Sequence, residues 1–539
     1  MWSRICVLAV CVAHVWSKLR VDPLVQTKSG LIRGLRADDG HYSMFLGIPY
    51  AEINVNDPFG PASSDLVFDG VFEATDDSTV CPQVDENTQQ AKGSLDCLRM
   101  NIFVPEVASS RNKLPVIVYI HGGYFLHGSG SRAGYGPKFL VRHDVILITL
   151  NYRVNLYGFL CLGTPEVPGN QGLKDQVLAL RWIRQNIEAF GGDKEQITLM
   201  GESAGSAAVE FHLMSQQEKL FDKAILQSGS NLKPGGLMEV DTTPALRVAA
   251  RLGFETNDVT KAMNFLKQID PHTIVKTAID LDIKLRGCVE REIDHVEPII
   301  TEHFLNIDMP KLRNTPILAG FNTREGLGMN KNEEDAHYMH PDYFEDNLKL
   351  AFHQDEDFDD MIDIVRNFYV GDEDLNEEVR NSIIDFEGDY YYGYPVQESL
   401  KIYVQRGALR VYQYLFSYDG DRNLVKRMNN ITTYGASHAD ELGYLFDPMF
   451  ITETPSADDQ LVIDRMTKLW TNFAKYGDPT PEVTDLLPVQ WTPISADKYN
   501  YLDIDKEFAI RSRPFKQRLT FWELFYKANM KKVRGYKAK

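Results

Sequence analysis

Two stretches of the chain are almost continuously apolar, residues 116–120 and, with Thr149 as its one polar position, 145–150. A strand buried on both faces reads this way, so a largely parallel sheet is expected. Further strands are read at 197–200, 224–227, 317–320 and 411–418. Between the second and third of these strands the pattern changes period. Leu173, Val177, Leu180, Ile183, Ile187 and Phe190 recur at steps of three or four, the spacing of one helix face. Gly191-Gly192 then supplies helix-ending chemistry. Strand, helix and strand form a βαβ unit that crosses right-handed. Amphipathic helices are expected at 460–476, stopped by Gly477-Asp478-Pro479, and at 514–530. Thr27-Lys28-Ser29-Gly30 reads as a hairpin-like turn. Residues 330–390 are acidic and carry helical stretches such as 358–368. They read as excursions around a site entrance or, more simply, as a solvated face. No linker, repeat or low-complexity segment divides the chain, so one domain over 18–539 is expected.

The strand at 197–200 runs into Gly201-Glu202-Ser203-Ala204-Gly205. This is G-x-S-x-G, a sharp strand-to-helix turn that puts Ser203 at its tip: the nucleophile elbow of an α/β-hydrolase. The small residues Ala204, Gly205, Ser206, Ala207 and Ala208 let the following helix pack close to the strand. Phe190, Gly191, Gly192, Ile197, Leu199, Gly201, Ser203, Ala204 and Gly205 stand where the active-serine signature of type-B carboxylesterases has them. Residues 97–105 resemble that family's second signature, with departures at Leu95 and Arg99. The resemblance implies an α/β-hydrolase fold: a large, mostly parallel central sheet flanked by helices, with helical excursions around an active-site gorge.

In α/β-hydrolases the triad follows the order nucleophile, acid, base. After 317–320 the chain reads Phe321-Asn322-Thr323-Arg324-Glu325-Gly326, and Glu325 is the carboxylate available there. Four histidines follow it: His337, His340, His353 and His438. The first three fall in the acidic excursion, and His438 falls in a loop after the strand at 411–418. Resemblance to the family's G-x-x-H-x-x-E pattern selects His438, and Glu325 matches the family's acid. These residues imply acyl transfer, with His438 taking the Ser203 proton and Glu325 holding the imidazole.

The elbow geometry makes the Ala204 amide one oxyanion donor. By resemblance, Gly123 and Tyr124 supply the others, although Tyr124 stands where H-G-G-G has its third glycine. His121 is read as a tether for that loop. Glu202 and Glu441 match, by resemblance, a buried acidic network behind the histidine; their plain reading is hydrogen-bonded structural acids.

The chain has 539 residues, 25% charged, with net charge -19. That charge argues against nucleic acid or anionic membranes as partners, and no run of about 20 apolar residues suggests a membrane span. Residues 1–17 read as a signal peptide, with Arg4 as its positive start and Ser17 near the cleavage point. A secreted enzyme without a membrane anchor is expected. Cys6 and Cys11 would leave with the signal peptide. Cys81 and Cys97 flank a polar loop and are the natural disulfide pair, resembling the family's first disulfide. Cys161 and Cys288 are expected to be free thiols. No clustered His/Cys spacing points to a metal, and no cofactor is implied. Asn430-Ile431-Thr432 is a glycosylation sequon.

The leading reading is a secreted serine carboxylesterase hydrolysing neutral esters, similar to insect carboxylesterases, in detoxification or odorant and pheromone breakdown. A non-catalytic adhesion protein of the same fold would typically lack a triad member. A cholinesterase would carry a Trp in the Cys81–Cys97 loop to bind the choline cation, and none is present. Juvenile hormone esterase usually has Gln where Glu202 stands. Bulk from Tyr124, together with Tyr390, Tyr391, Tyr392 and Tyr394 if they reach the entrance, should favour small acyl and apolar leaving groups.

Overall fold

The computed structural model describes residues 22–86, 88–329 and 337–537; the signal peptide expected at 1–17 lies outside them. An eleven-stranded sheet organises the chain. In spatial order it runs Ala509–Ser512, Asn500–Ile504, Arg410–Phe416, Pro316–Asn322, Lys223–Gln227, Gly192–Glu202, Leu114–Ile120, Ile146–Leu150, Arg99–Pro105, Tyr42–Pro49 and Leu35–Arg36. The pairings from Asn500–Ile504 across to Ile146–Leu150 are parallel. Those at the two edges are antiparallel. Each expected strand is present within two residues of its expected ends, except that the strand expected at 197–200 begins five residues earlier, at Gly192.

Burial explains why the strands read as continuous apolar runs. Val116, Val118 and Ile120 enter the core on one face of the sheet, Ile117 and Tyr119 that on the other. Each such aliphatic side chain contributes about 1.5–3 kcal/mol on burial. Helix Gln171–Asn186 covers the crossover, then a 3₁₀ turn, Ile187–Phe190, ends at Gly191 with φ 77°. Ala457–Tyr476 is capped by Ser456, whose side chain accepts from the Asp459 amide, and closes at Gly477 with φ 64°. Lys516–Ala528 and Phe358–Tyr369 match the other expected helices. In Phe358–Tyr369, Phe358, Met361 and Val365 are buried while Asp359, Asp360 and Asp363 are exposed, so much of the acidic run there is a solvated face.

The cysteines require one correction. Cys81 and Cys97 are bonded as expected, with Cα atoms 5.0 Å apart. Cys161 and Cys288 are not free thiols: they form a second disulfide across 127 residues, with Cα atoms 6.6 Å apart. Tertiary structure brings them together. Gly287–Cys288 pairs in parallel with Leu237–Met238. The buried Asn170 side chain donates to the Cys288 carbonyl and accepts from its amide, both at 2.8 Å. Closing a loop of that span contributes about 5 kcal/mol in the chain-entropy model.

The sheet also positions the site. Leu114–Ile120 has Ile146–Leu150 on one side and Gly192–Glu202 on the other, so strand order reverses there. In open α/β sheets such a switch point opens a crevice beyond the carboxyl ends of the strands. Ser203, the loop after Ile120, Ser228 and the loop after Asn322 all emerge at that end.

Candidate active site

Ser203 sits between Gly192–Glu202 and helix Ala204–Met214 with φ 57° and ψ -122°. A non-glycine residue held there costs on the order of 1–3 kcal/mol and persists only where its surroundings enforce it. They do so here. The Ser203 amide donates to the Gln227 carbonyl at 2.8 Å, and the Ala207 amide donates to the Ser203 carbonyl at 3.0 Å. The flanking glycines are steric requirements: a Cβ on Gly201 would lie 2.3 Å from the Gly205 carbonyl, and one on Gly205 would lie 2.1 Å from the Ile120 carbonyl.

Glu325 and His438 meet as expected. Glu325 Oε2 lies 2.7 Å from His438 Nδ1, while Oε1 accepts from the Asn322 amide at 2.6 Å and the Ser228 hydroxyl at 2.7 Å. The carboxylate is therefore fixed on both oxygens, and it fixes the ring. His438 Nε2 is 3.1 Å from Glu202 Oε1, off hydrogen-bonding angle, and that oxygen has no hydrogen-bond partner among the described residues. No hydrogen bond joins Ser203 Oγ to His438 here; such contacts often tighten only once substrate binds. The Tyr392 ring, centred 4.5 Å from the His438 ring, lines the same cavity as Ser203. His337, the first of the other histidines, instead lies 2.9 Å from Glu387 in the acidic excursion.

Glu441 lies deeper, accepting from Gln227 at 2.8 Å and Asn322 at 2.6 Å. Gln227 is held in turn by the Trp470 indole. Glu202 and Glu441 are thus both buried close to the histidine. Burial pulls the His438 imidazole down. The charge of Glu202, then the hydrogen bond and charge of Glu325, outweigh burial and raise it to about 9. Glu202 is itself pushed up to about 8, chiefly by burial, with Glu441 and Glu325 adding to it against the pull of His438. With a proton on Glu202, the imidazole loses its strongest stabilising charge, so the two groups titrate as a unit.

The loop after Ile120 carries Gly123, Tyr124 and Phe125 at φ 103°, 57° and 63°. Successive left-handed residues turn their amides inward. Among the described residues, the amides of Gly123, Tyr124 and Ala204 donate to no protein acceptor. His121 anchors this loop. Its ring stacks on Tyr152 at 4.4 Å, Tyr152 donates to its carbonyl at 2.8 Å, and burial pushes its imidazole down to about 4. It is neutral at physiological pH and acts as the tether expected.

The cavity against Ser203 is small, about 20 Å³, with Tyr124, Phe125 and Tyr392 in its walls. Of the four tyrosines considered for the entrance, Tyr391 and Tyr392 face this side. Tyr390 packs on Phe386 and Trp522, and Tyr394 stacks on Tyr526. A π-helical turn, Asp389–Gly393, sets that division; such turns insert a residue and re-aim side chains. Reading the sequence also missed Ser228, Asn322, Lys233 and Arg286. The first two directly end strands that point at the site, which is the signal that could have found them. Lys233 and Arg286 carry no such signal. Asn430 is exposed.

The carboxylesterase-family model matches residues 21–522. The chain belongs to the carboxylesterase family. Bile salt-activated lipase of Rattus norvegicus is 31% identical, covering 97% of this chain and 87% of its own length. Esterase FE4 of Myzus persicae is 30% identical, covering 91% of each. The crystal structure of juvenile hormone esterase from Manduca sexta with OTFP covalently attached superposes with a TM-score of 0.82 at 28% identity. It covers 94% of this chain and 100% of that one. The fold is that of an α/β-hydrolase, and carboxylesterase chemistry on small-molecule esters is supported. Among the described residues no helix is long and apolar enough to cross a membrane.

Proposed function

We propose that this carboxylesterase works through Ser203 as nucleophile, His438 as general base and acid, and Glu325 as the group that orients the imidazole. His438 takes the Ser203 proton as the hydroxyl oxygen attacks the ester carbonyl. The oxyanion accepts from the amides of Gly123, Tyr124 and Ala204. The imidazolium then protonates the leaving alcohol, and water repeats the cycle on the acyl-enzyme to release the acid. Glu202 and Glu441 set the charge around His438, and Glu202 does so from 3.1 Å off Nε2 without a hydrogen bond to it.

The observation that carries this reading is a strained serine at an elbow beside a buried Glu–His pair with 2.7 Å between carboxylate and imidazole. An adhesion protein would have no use for either. Relatives named as lipase, insect esterase and juvenile hormone esterase match at about equal identity, so they do not select a substrate. Poor turnover of choline esters is expected on two counts: the Cys81–Cys97 loop holds no Trp, and Lys233 and Arg286 line the cavity. Removal of residues 1–17, export and a glycan on Asn430 complete the proposal. Two disulfides fit an oxidising compartment.

The test is rapid mixing with a 4-nitrophenyl ester. The wild type gives a burst of nitrophenol stoichiometric with enzyme, and Ser203→Ala loses burst and turnover by on the order of 10⁶. Undiminished turnover in Ser203→Ala would overturn the reading.

A further inference from the structure

Two cations line the cavity that holds Ser203, in a chain whose net charge is -19. Lys233 follows the strand Lys223–Gln227 in a turn, and its ammonium lies 5.7–5.8 Å from the ring centres of Tyr124, Tyr391 and Tyr392. Arg286 uses one nitrogen, Nη1, to reach the carbonyls of Tyr124 at 3.3 Å and Leu285 at 2.8 Å. Its Nη2 and Nε donate to no described residue. Neither side chain forms an ion pair with a described carboxylate. Asp282, the carboxylate that acts on Arg286, is bridged to Lys284 instead.

Both side chains are half-buried, and an unpaired cation partly withdrawn from water is unstable unless something compensates it. Tyrosine faces compensate Lys233 only in part, and Arg286 beside it repels it. Burial, then Arg286, push the Lys233 ammonium down to about 7. The carboxylates of this site stand on the other side: Glu202, Glu325 and Glu441 cluster at His438, and none of them acts on Lys233. Charge is thus divided across the active site, with acids behind the base and cations where substrate enters.

We propose that Lys233 and Arg286 form an anion subsite beside Ser203, and that the preferred esters carry a carboxylate on one arm. This rests on the serine esterase reading above and changes one part of it. The expectation of uncharged esters did not include these two cations. The free edge of Arg286 suits a carboxylate's paired oxygens, and Lys233 adds a point charge that the tyrosines hold in place.

The experiment compares kcat/KM for 4-nitrophenyl hemiglutarate with 4-nitrophenyl butyrate, and for 6-acetoxyhexanoate with hexyl acetate. Wild type, Lys233→Met, Lys233→Arg and Arg286→Met are assayed. The expected result is a charged-to-neutral ratio that drops about tenfold or more in each Met variant and is retained in Lys233→Arg. The inference is overturned if both ratios are unmoved in the Met variants, or if the wild type disfavours the carboxylate on both arms. If Lys233→Met fails to fold, glutarate titrated into the wild-type enzyme by calorimetry decides instead: competition with butyrate ester supports the subsite, and no binding overturns it. Loss of the esterase reading looks different. No ester of either charge would turn over and no acyl-enzyme burst would form.

Discussion

The nucleophile elbow and the cavity wall facing it are built in opposite ways. The elbow is local. Gly201 to Gly205 hold Ser203 between a central strand and its helix, and backbone hydrogen bonds to the neighbouring strand at Gln227 and to the helix at Ala207 enforce its unusual φ. The wall is assembled. Tyr124 comes from the loop after Ile120, Lys233 from a turn after Gln227, Arg286 from beside the second disulfide, and Tyr392 from a π-helical turn whose Tyr391 backs Lys233. Reaction chemistry is thus written in one stretch of sequence, whereas selectivity depends on how distant segments pack. Changes at the elbow and its partners should abolish turnover for all esters alike, and changes in the wall should re-rank esters.

The largest such effect after loss of Ser203 itself is expected for Glu325→Gln. An amide in place of the carboxylate disturbs the tautomer of His438 and cannot stabilise its imidazolium, so kcat should fall about 10⁴-fold for charged and neutral esters together. Steady-state kinetics on both ester classes checks this. A loss confined to one class would place Glu325 in the wall and break the comparison.

A smaller effect belongs to the wall. Acetylcholine should be turned over roughly thirtyfold or more worse than 3,3-dimethylbutyl acetate, its uncharged shape-mate, for want of an aromatic cation site. Equal kcat/KM values would show that Lys233 and Arg286 do not face the substrate.

These regions also mark where the sequence could be read. The parallel sheet, the elbow and the Glu325–His438 pair were legible because each rests on a short pattern: an apolar run, a G-x-S-x-G turn, a carboxylate just after a strand, and for His438 a resemblance to the family's G-x-x-H-x-x-E. Lys233 was not legible, since its three rings lie more than a hundred residues away in either direction. Cys161 and Cys288 were misread for the same reason. Nothing in the chain across their separation of 127 signals that Asn170 and the Leu237–Met238 strand draw them together.

The smallest effect sharpens the boundary between the two regions. Glu202 is the largest charge raising His438. Removing it makes the imidazolium less favourable, so His438 loses its proton at lower pH. In Glu202→Gln the acidic limb of the kcat/KM profile should move down by about one unit, with ester ranking unchanged. An unmoved limb would show that Glu202 does not act on His438, and a re-ranked ester series would place it in the wall.

The central claim is that Ser203 is the nucleophile, and covalent labelling tests it most directly. An organophosphate should add once per chain, with peptide mapping placing the adduct on Ser203 and no adduct forming on Ser203→Ala. An adduct on another residue, or labelling that persists in Ser203→Ala, would contradict the account.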